Sequence, residues 1–254
     1  MKNKFLVLFL LVASTLGGCG GGGGGAAGQD SSQNGGTIPL VSVFVSGSDS
    51  GLHYPQLMAF FGSDLYVVDV DSAAFPATGA VVKFNGAGAR VSSTGGFTEP
   101  RGISFYSTGT TFITGTNTIG GTGLLKLNRA TGGITDLITT INPYGIAVNT
   151  SNDNAIYVAA PADNKVYIYD STFVPVGTVG GVSVAGTPTA LAFDSVRSKI
   201  YVTKKDGGNN GVYQISTSNT SSAAVAFATS PLFDKPSGIA VRSSPNEIYV
   251  VNTG

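Results

Sequence analysis

The 254-residue chain has no tryptophan, one cysteine, one histidine and two methionines. A lone cysteine makes no intramolecular disulfide and no metal site. A lone histidine, His53, gives no zinc pair. Any Ser-His-Asp arrangement would have to run through it, and no Gly-x-Ser-x-Gly turn marks a nucleophile. Without Cys-x-x-Cys-His there is no covalent haem. Charge is scarce as well: only 11% of residues are charged, well below the usual quarter, and 14 basic residues face 14 acidic ones. With no basic excess, nothing points to nucleic acid as a partner. Beyond the N-terminus, no stretch of a dozen residues shows helical periodicity.

Glycine is abundant, at 37 residues, and short apolar runs are separated by Asn, Asp, Ser, Gly and Pro. This suits many short strands joined by tight turns. The chain also repeats. A signature Pro-x-small/apolar-apolar-small/Ser-apolar starts at Pro55, Pro100, Pro143, Pro188 and Pro236, spaced 45, 43, 45 and 48 residues apart. A second signature follows each one: Leu65–Val67, Thr111–Ile113, Ile156–Val158, Ile200–Val202 and Ile248–Val250. A third occurs four times, at Val81–Phe84, Leu124–Leu127, Val166–Tyr169 and Val212–Ile215. A looser fourth precedes each proline, near Leu40–Val45, Ala89–Ser93, Ile134–Thr139, Val174–Val179 and Ala223–Ala228. Four strands per period of about 45 residues predict an all-β fold, a β-propeller of four-stranded antiparallel blades. Innermost strands must be small to fit a crowded channel, and second strands lie between neighbouring blades. The Gly/Ala/Ser and Ile-Tyr-Val patterns match those two demands.

The N-terminus reads as an address. Lys2 and Lys4 precede the apolar run Phe5–Ala13, which is too short to span a bilayer. Leu16-Gly17-Gly18-Cys19 follows, and resembles the lipobox of bacterial lipoproteins. The resemblance implies that residues 1–18 are a signal peptide and that Cys19 becomes the lipidated N-terminus. Losing Lys2 and Lys4 leaves two fewer basic than acidic side chains. Residues 19–37, with an unbroken glycine run from Gly20 to Gly25, read as a flexible tether reaching roughly 25 Å. No Gly-Lys-Ser/Thr follows to make that run a phosphate loop. The resemblance also implies that an Asp after the cysteine would favour the inner membrane, so Gly20 there leans towards the outer membrane or cell surface. Residues 38–254 are the expected propeller domain.

The repeats resemble the NHL and YVTN types of propeller repeat, most clearly at Ile200–Thr203 and Ile248–Asn252. The fifth copy stops after its second strand. The expectation is a piece of a propeller of six or more blades, the alternative an incomplete ring of five.

In such a blade the residue after each repeat proline lines one mouth of the channel. These residues are Gln56, Arg101, Tyr144, Thr189 and Ser237. The repeated frame around five chemically different residues is what a binding face on a repeat scaffold presents. A protein, peptide or glycan ligand is the expected partner there, besides the membrane. Propeller lactonases that depend on calcium tend to carry Asn at this turn, where it binds the metal. None of the five positions has Asn or a carboxylate, and calcium needs several oxygen ligands. No cofactor is therefore expected. Asp69 with Asp71, the loop Asp206–Gly211, and Asp163-Asn164 are the remaining calcium candidates, each also readable as ordinary turn polarity. The expectation is a binding or scaffolding module, with a hydrolase or lyase of the lactonase type as the alternative.

Overall fold

The computed structural model describes residues 10–12, 51–71, 78–106, 108–151, 154–176, 181–184, 186–205, 210–220, 222–242 and 247–253. Cys19, the glycine tether and the expected strand Leu40–Val45 lie outside them. The described residues form eighteen strands and one 3₁₀ turn, Pro161–Asp163, with no α-helix.

The strands group by blade. Blade 1 holds β2 (Tyr54–Phe61), β3 (Asp64–Asp71), β4 (Thr78–Phe84) and the first half of β5 (Arg90–Phe105). Blade 2 starts with the second half of β5. It continues with β6 (Thr111–Asn117), β7 (Thr122–Leu127) and β8 (Ile134–Ile138). Blade 3 is β9 (Ile146–Val148), β10 (Ile156–Ala160), β11 (Lys165–Tyr169) and β12 (Val182–Ser183). Blade 4 is β13 (Thr187–Asp194), β14 (Lys199–Lys205), β15 (Gly211–Ser216) and β16 (Val225–Thr229). Blade 5 has β17 (Pro236–Arg242) and β18 (Glu247–Asn252). All pairs are antiparallel. On the outer edge of β18, where a third strand lies in the other blades, pairs β1 (Leu10–Val12).

Blades 1 and 2 form one seven-stranded sheet, because β5 leaves the outer edge of one and enters the inside of the next without a turn. Elsewhere the chain breaks between blades. In blade 3 the described part of the expected outer strand Val174–Val179, residues 174–176, forms a bridge of Tyr169 to Pro175 and a bond from the Val176 N–H to the Ile168 carbonyl; residues 177–179 lie outside the described residues. The Asp170 N–H also bonds the Val174 carbonyl, so Pro175 stands in a non-hydrogen-bonded pair with Tyr169 and its nitrogen faces away from β11. Val182 and Ser183 pair with Val166 and Lys165.

The innermost strands contact one another in chain order: β2 on β5, β5 on β9, β9 on β13, β13 on β17. No comparable contact joins β17 back to β2 among the described residues. Alternation within each strand sends one set of side chains to each neighbour. Tyr66, Val68 and Val81 of blade 1 thus meet Phe97, Ile113 and Leu125 of blade 2. Phe112 and Leu124 meet Ile146, Ile156 and Val158. Tyr157, Val166 and Ile168 meet Ile200, Val202 and Tyr213. Tyr201 and Val212 meet Val250. Each fully buried aliphatic or aromatic side chain contributes roughly 1.5–3 kcal/mol, so the core lies between blades rather than within a sheet. On the far face of blade 1, Met58 and Phe60 stand opposite Val67 and Leu65, and both are 61% exposed.

The small residue of the inner-strand signature is set by this stacking. A Cβ on Gly102 would lie 2.6 Å from the Tyr144 carbonyl oxygen of the next blade. A Cβ on Gly145 would lie 2.4 Å from that of Thr189.

Candidate functional site

In blades 1, 2, 4 and 5 the inner strand holds the repeat proline and pairing slips just after it, while in blade 3 β9 begins at Ile146, after Pro143. The register breaks between Pro55 and Met58, Pro100 and Gly102, Pro188 and Leu191, and Pro236 and Gly238. A bulge takes a residue out of the ladder and re-aims its side chain. The displaced residues are those expected at the channel mouth.

Three of them come together. The Tyr144 hydroxyl of blade 3 donates to Gln56 Oε1 of blade 1 over 3.3 Å. Arg101, from the blade between, donates through Nη1 to Asn142 Oδ1 at 2.5 Å and to the Pro143 carbonyl at 3.2 Å. Its Nη2 pairs with Glu99 Oε2 at 3.0 Å. Gln56 is exposed, and Tyr144 and Arg101 are half-buried. An amide, a phenol and a guanidinium from three successive blades therefore share one polar patch. Glu99, one residue before the repeat proline, adds a carboxylate that the proline-based register passes over.

Thr189 differs from its expected place. It is buried, and its hydroxyl lies 2.8 Å from the Pro236 carbonyl of the next blade and 2.9 Å from Thr203 Oγ1. The bulge turns every such side chain, but Thr is short, so its hydroxyl finds partners inside the blade interface. Thr114 makes the equivalent contact two interfaces earlier, between blades 2 and 3, donating to the Tyr144 carbonyl. Thr114 and Thr203 occupy the same place on the second strand, where blades 1, 3 and 5 have Val68, Ala159 and Val251. A hydroxyl replacing Val or Ala in that register was the available sequence signal for this clasp. Ser237 is half-buried, its Oγ 3.5 Å from the Val251 carbonyl oxygen.

A second polar group lies on the far face of blade 1. Asp69 is buried, and both its oxygens accept the His53 backbone N–H at 3.0 Å. The His53 ring sits between carboxylates, Nδ1 at 3.4 Å from Asp69 and Nε2 at 3.7 Å from Asp71. The three border a hollow of about 220 Å³. Asp163 accepts the Tyr167 hydroxyl at 3.0 Å, and Asn164 is left-handed with φ 54°, so that turn is held by its own contacts. Of the loop Asp206–Gly211, residues 206–209 lie outside the described residues. Asn210 donates to the Phe233 carbonyl at 3.0 Å. Among the described residues no three His, Cys, Asp or Glu side chains are grouped for a metal ion.

No family model matches the chain, and no curated protein matches it in sequence. Solved structures do. A gluconolactonase from Xanthomonas campestris is similar at a TM-score of 0.58 and 13% identity, over 80% of this chain and 77% of that one. The nidogen/laminin complex matches at 0.56 and 13%, over 77% and 71%. Virginiamycin B lyase from Staphylococcus aureus matches at 0.55 and 12%, over 83% of this chain and 66% of the lyase. The fold is a β-propeller. At these identities the likeness is one of architecture. The chain spans just under two thirds of the length of that lyase.

Proposed function

We propose that the chain is a cell-envelope lipoprotein whose propeller is a binding or scaffolding module, with a polar ligand taken at the channel mouth. Its repeats are read as the NHL/YVTN type, and Cys19 as the lipidated N-terminus of a protein held at the outer membrane or cell surface. No resident metal or other cofactor is assigned. The observation that carries the mouth as the site is the Tyr144–Gln56 bond, which brings blades 1 and 3 together over Arg101 of blade 2. A phenol ring for stacking, an amide for paired hydrogen bonds and a guanidinium with a neighbouring carboxylate suit a peptide or glycan better than a lipid. Thr189 belongs to the frame in this reading. Ser237 stands at the mouth's open end.

The test is a peptide and glycan array probed with purified protein, and with the double variant Arg101→Ala/Tyr144→Ala. Its circular dichroism spectrum should match the parent's. At least a tenfold loss of affinity for the best array hit is expected. Unchanged affinity for that hit would refute the mouth as the site. The competing reading is a propeller enzyme, favoured by the gluconolactonase and lyase among the similar structures. Calcium-dependent turnover of a lactone by the same preparation would decide for it.

A further inference from the structure

At the end of the propeller opposite the mouth, blades 1 and 2 leave a cleft of about 340 Å³ between them. Its floor is built around Arg129, which leaves β7 in the turn after Leu127. The guanidinium carbon lies 4.8 Å from the ring centre of Phe61, 5.3 Å from Tyr66 and 5.6 Å from Phe105. Nη1 donates to the Tyr66 hydroxyl at 2.7 Å and Nη2 to the Gly109 carbonyl at 2.8 Å. The fork is thus held by three rings and two hydrogen bonds, all from rigid parts of two blades.

Two of its five N–H donors are used in this way. The other three have no partner among the described residues, and none of the described carboxylates pairs with the guanidinium. A second cation lines the same cleft. Lys83 sits 5.7 Å from the Tyr66 ring centre and pairs with Asp64 at 2.7 Å. That hydrogen bond to Asp64 raises the Lys83 pKa above its ordinary value, so the ammonium stays charged. Two cations against one carboxylate leave the cleft one positive charge in excess. Its walls are otherwise apolar at Val81, Val91 and Leu127, with the hydroxyls of Ser92 and Thr94 at one side.

We propose that this cleft binds a small carboxylate with an apolar body. Arg129 takes the carboxylate through its free N–H edge, and Val81, Val91 and Leu127 take the body. The volume is at the lower end of the range for small-ligand sites, which limits the ligand to a compact acid. A planar carboxylate fits a fixed guanidinium fork through two parallel hydrogen bonds, which an ammonium does not reproduce. The site is separate from the mouth and stands or falls independently of it.

Phenylacetate and phenylacetamide are the probes, equal in shape and different in charge. Titration of each into ¹⁵N-labelled protein, following the Arg129 Nε–Hε signal, measures both affinity and place. Phenylacetate is expected to shift that signal saturably and to bind at least tenfold more tightly than the amide. Arg129→Lys keeps the charge but loses the fork, and should weaken phenylacetate at least tenfold. Ser92→Phe, at an exposed position in the cleft wall, should abolish binding without touching Arg129. It serves as the second test if Arg129→Lys fails to fold. Equal binding of acid and amide, no shift at Arg129 up to 10 mM probe (about its weakest useful range), or unaltered binding by either variant would overturn the proposal.

Discussion

Gly102 and Gly145 are small because of their neighbours' carbonyl groups, not because of their own backbones. Neither has a left-handed φ, yet a Cβ at either would press into the next blade. Gly238 holds the same place in blade 5, and the nearest atom to a Cβ there is Val251 Cβ of its own blade, at 3.5 Å. The same substitution should therefore have different effects at equivalent positions. Gly145→Ala is expected to cost about 1–3 kcal/mol through overpacking. Gly238→Ala should change stability by less than about 0.5 kcal/mol. Urea titrations of the two variants check this, and equal losses would show that the inner strands are not in contact as described. The Tyr106 hydroxyl makes a related point: it is buried with no hydrogen-bond partner among the described residues, and burial raises its pKa. Removing an unpaired buried hydroxyl is close to neutral or stabilising, so Tyr106→Phe should not weaken the fold.

The hairpin turns are the elements in which polar side chains stabilise the fold most directly. After the third strand of blades 1, 2 and 3, an Asn or Asp accepts N–H groups of its own turn. Asn85 takes Ala87 and Ala89, Asn128 takes Ala130 and Thr131, and Asp170 takes Thr172 and Val174. The turn from β13 to β14 is closed by Asp194. It is fully buried and accepts the N–H groups of Val196 and Arg197 and the Arg197 guanidinium. Burial alone would raise the Asp194 pKa, but the Arg197 hydrogen bonds and the two backbone N–H groups outweigh it and the net shift is downward. A lowered folded-state pKa means stability that is fully present above the ordinary carboxylate value of about 4 and lost as pH falls through the folded-state value. Asp194→Asn should cost about 1–3 kcal/mol at pH 7. The gap between variant and parent should close as pH falls through the lowered folded-state value, as urea midpoints at several acidic pH values will show. These turns also mark what was legible in the sequence. Second and third strands were visible because Ile-Tyr-Val and Val-Tyr-Ile-Tyr answer to burial on both sides. The Phe84-Asn85, Leu127-Asn128 and Tyr169-Asp170 pairs repeat just as regularly, but a single polar residue at a strand end looks like any turn until its acceptor role is seen. Of the expected outer strand of blade 3, Val174–Val176 pair with the end of β11, and the later pairing at Val182–Ser183 was not legible because those residues carry no repeat signature. The mouth was legible as a register but not as a set of contacts. Only packing shows that Tyr144 reaches Gln56 while Thr189 turns inward.

At the scale of the molecule, the blades are stacked units whose stability is a sum of internal and interface contributions. The first two differ from the rest because β5 runs sixteen residues through both. Opening blade 1 removes the partner of the first half of a strand whose second half is the inside of blade 2. Native-state hydrogen exchange should therefore find β3, β4, β6 and β7 opening as one unit. β10 with β11, and β14 with β15, should open at separate free energies. Distinct opening energies for β3 and β6 would mean that β5 breaks at Phe97 in solution. The bulges at the repeat prolines have a different consequence. Each takes one or two residues out of the ladder while the residues on either side keep their pairing, so at Gln56 and Arg101 the side chain is uncoupled from the ladder, whereas Thr189 is tied into the next blade. Under the proposed reading, recognition there would be rewritten at Gln56, Arg101 and Tyr144, by selection or by a combinatorial library, without redesigning the protein that carries them.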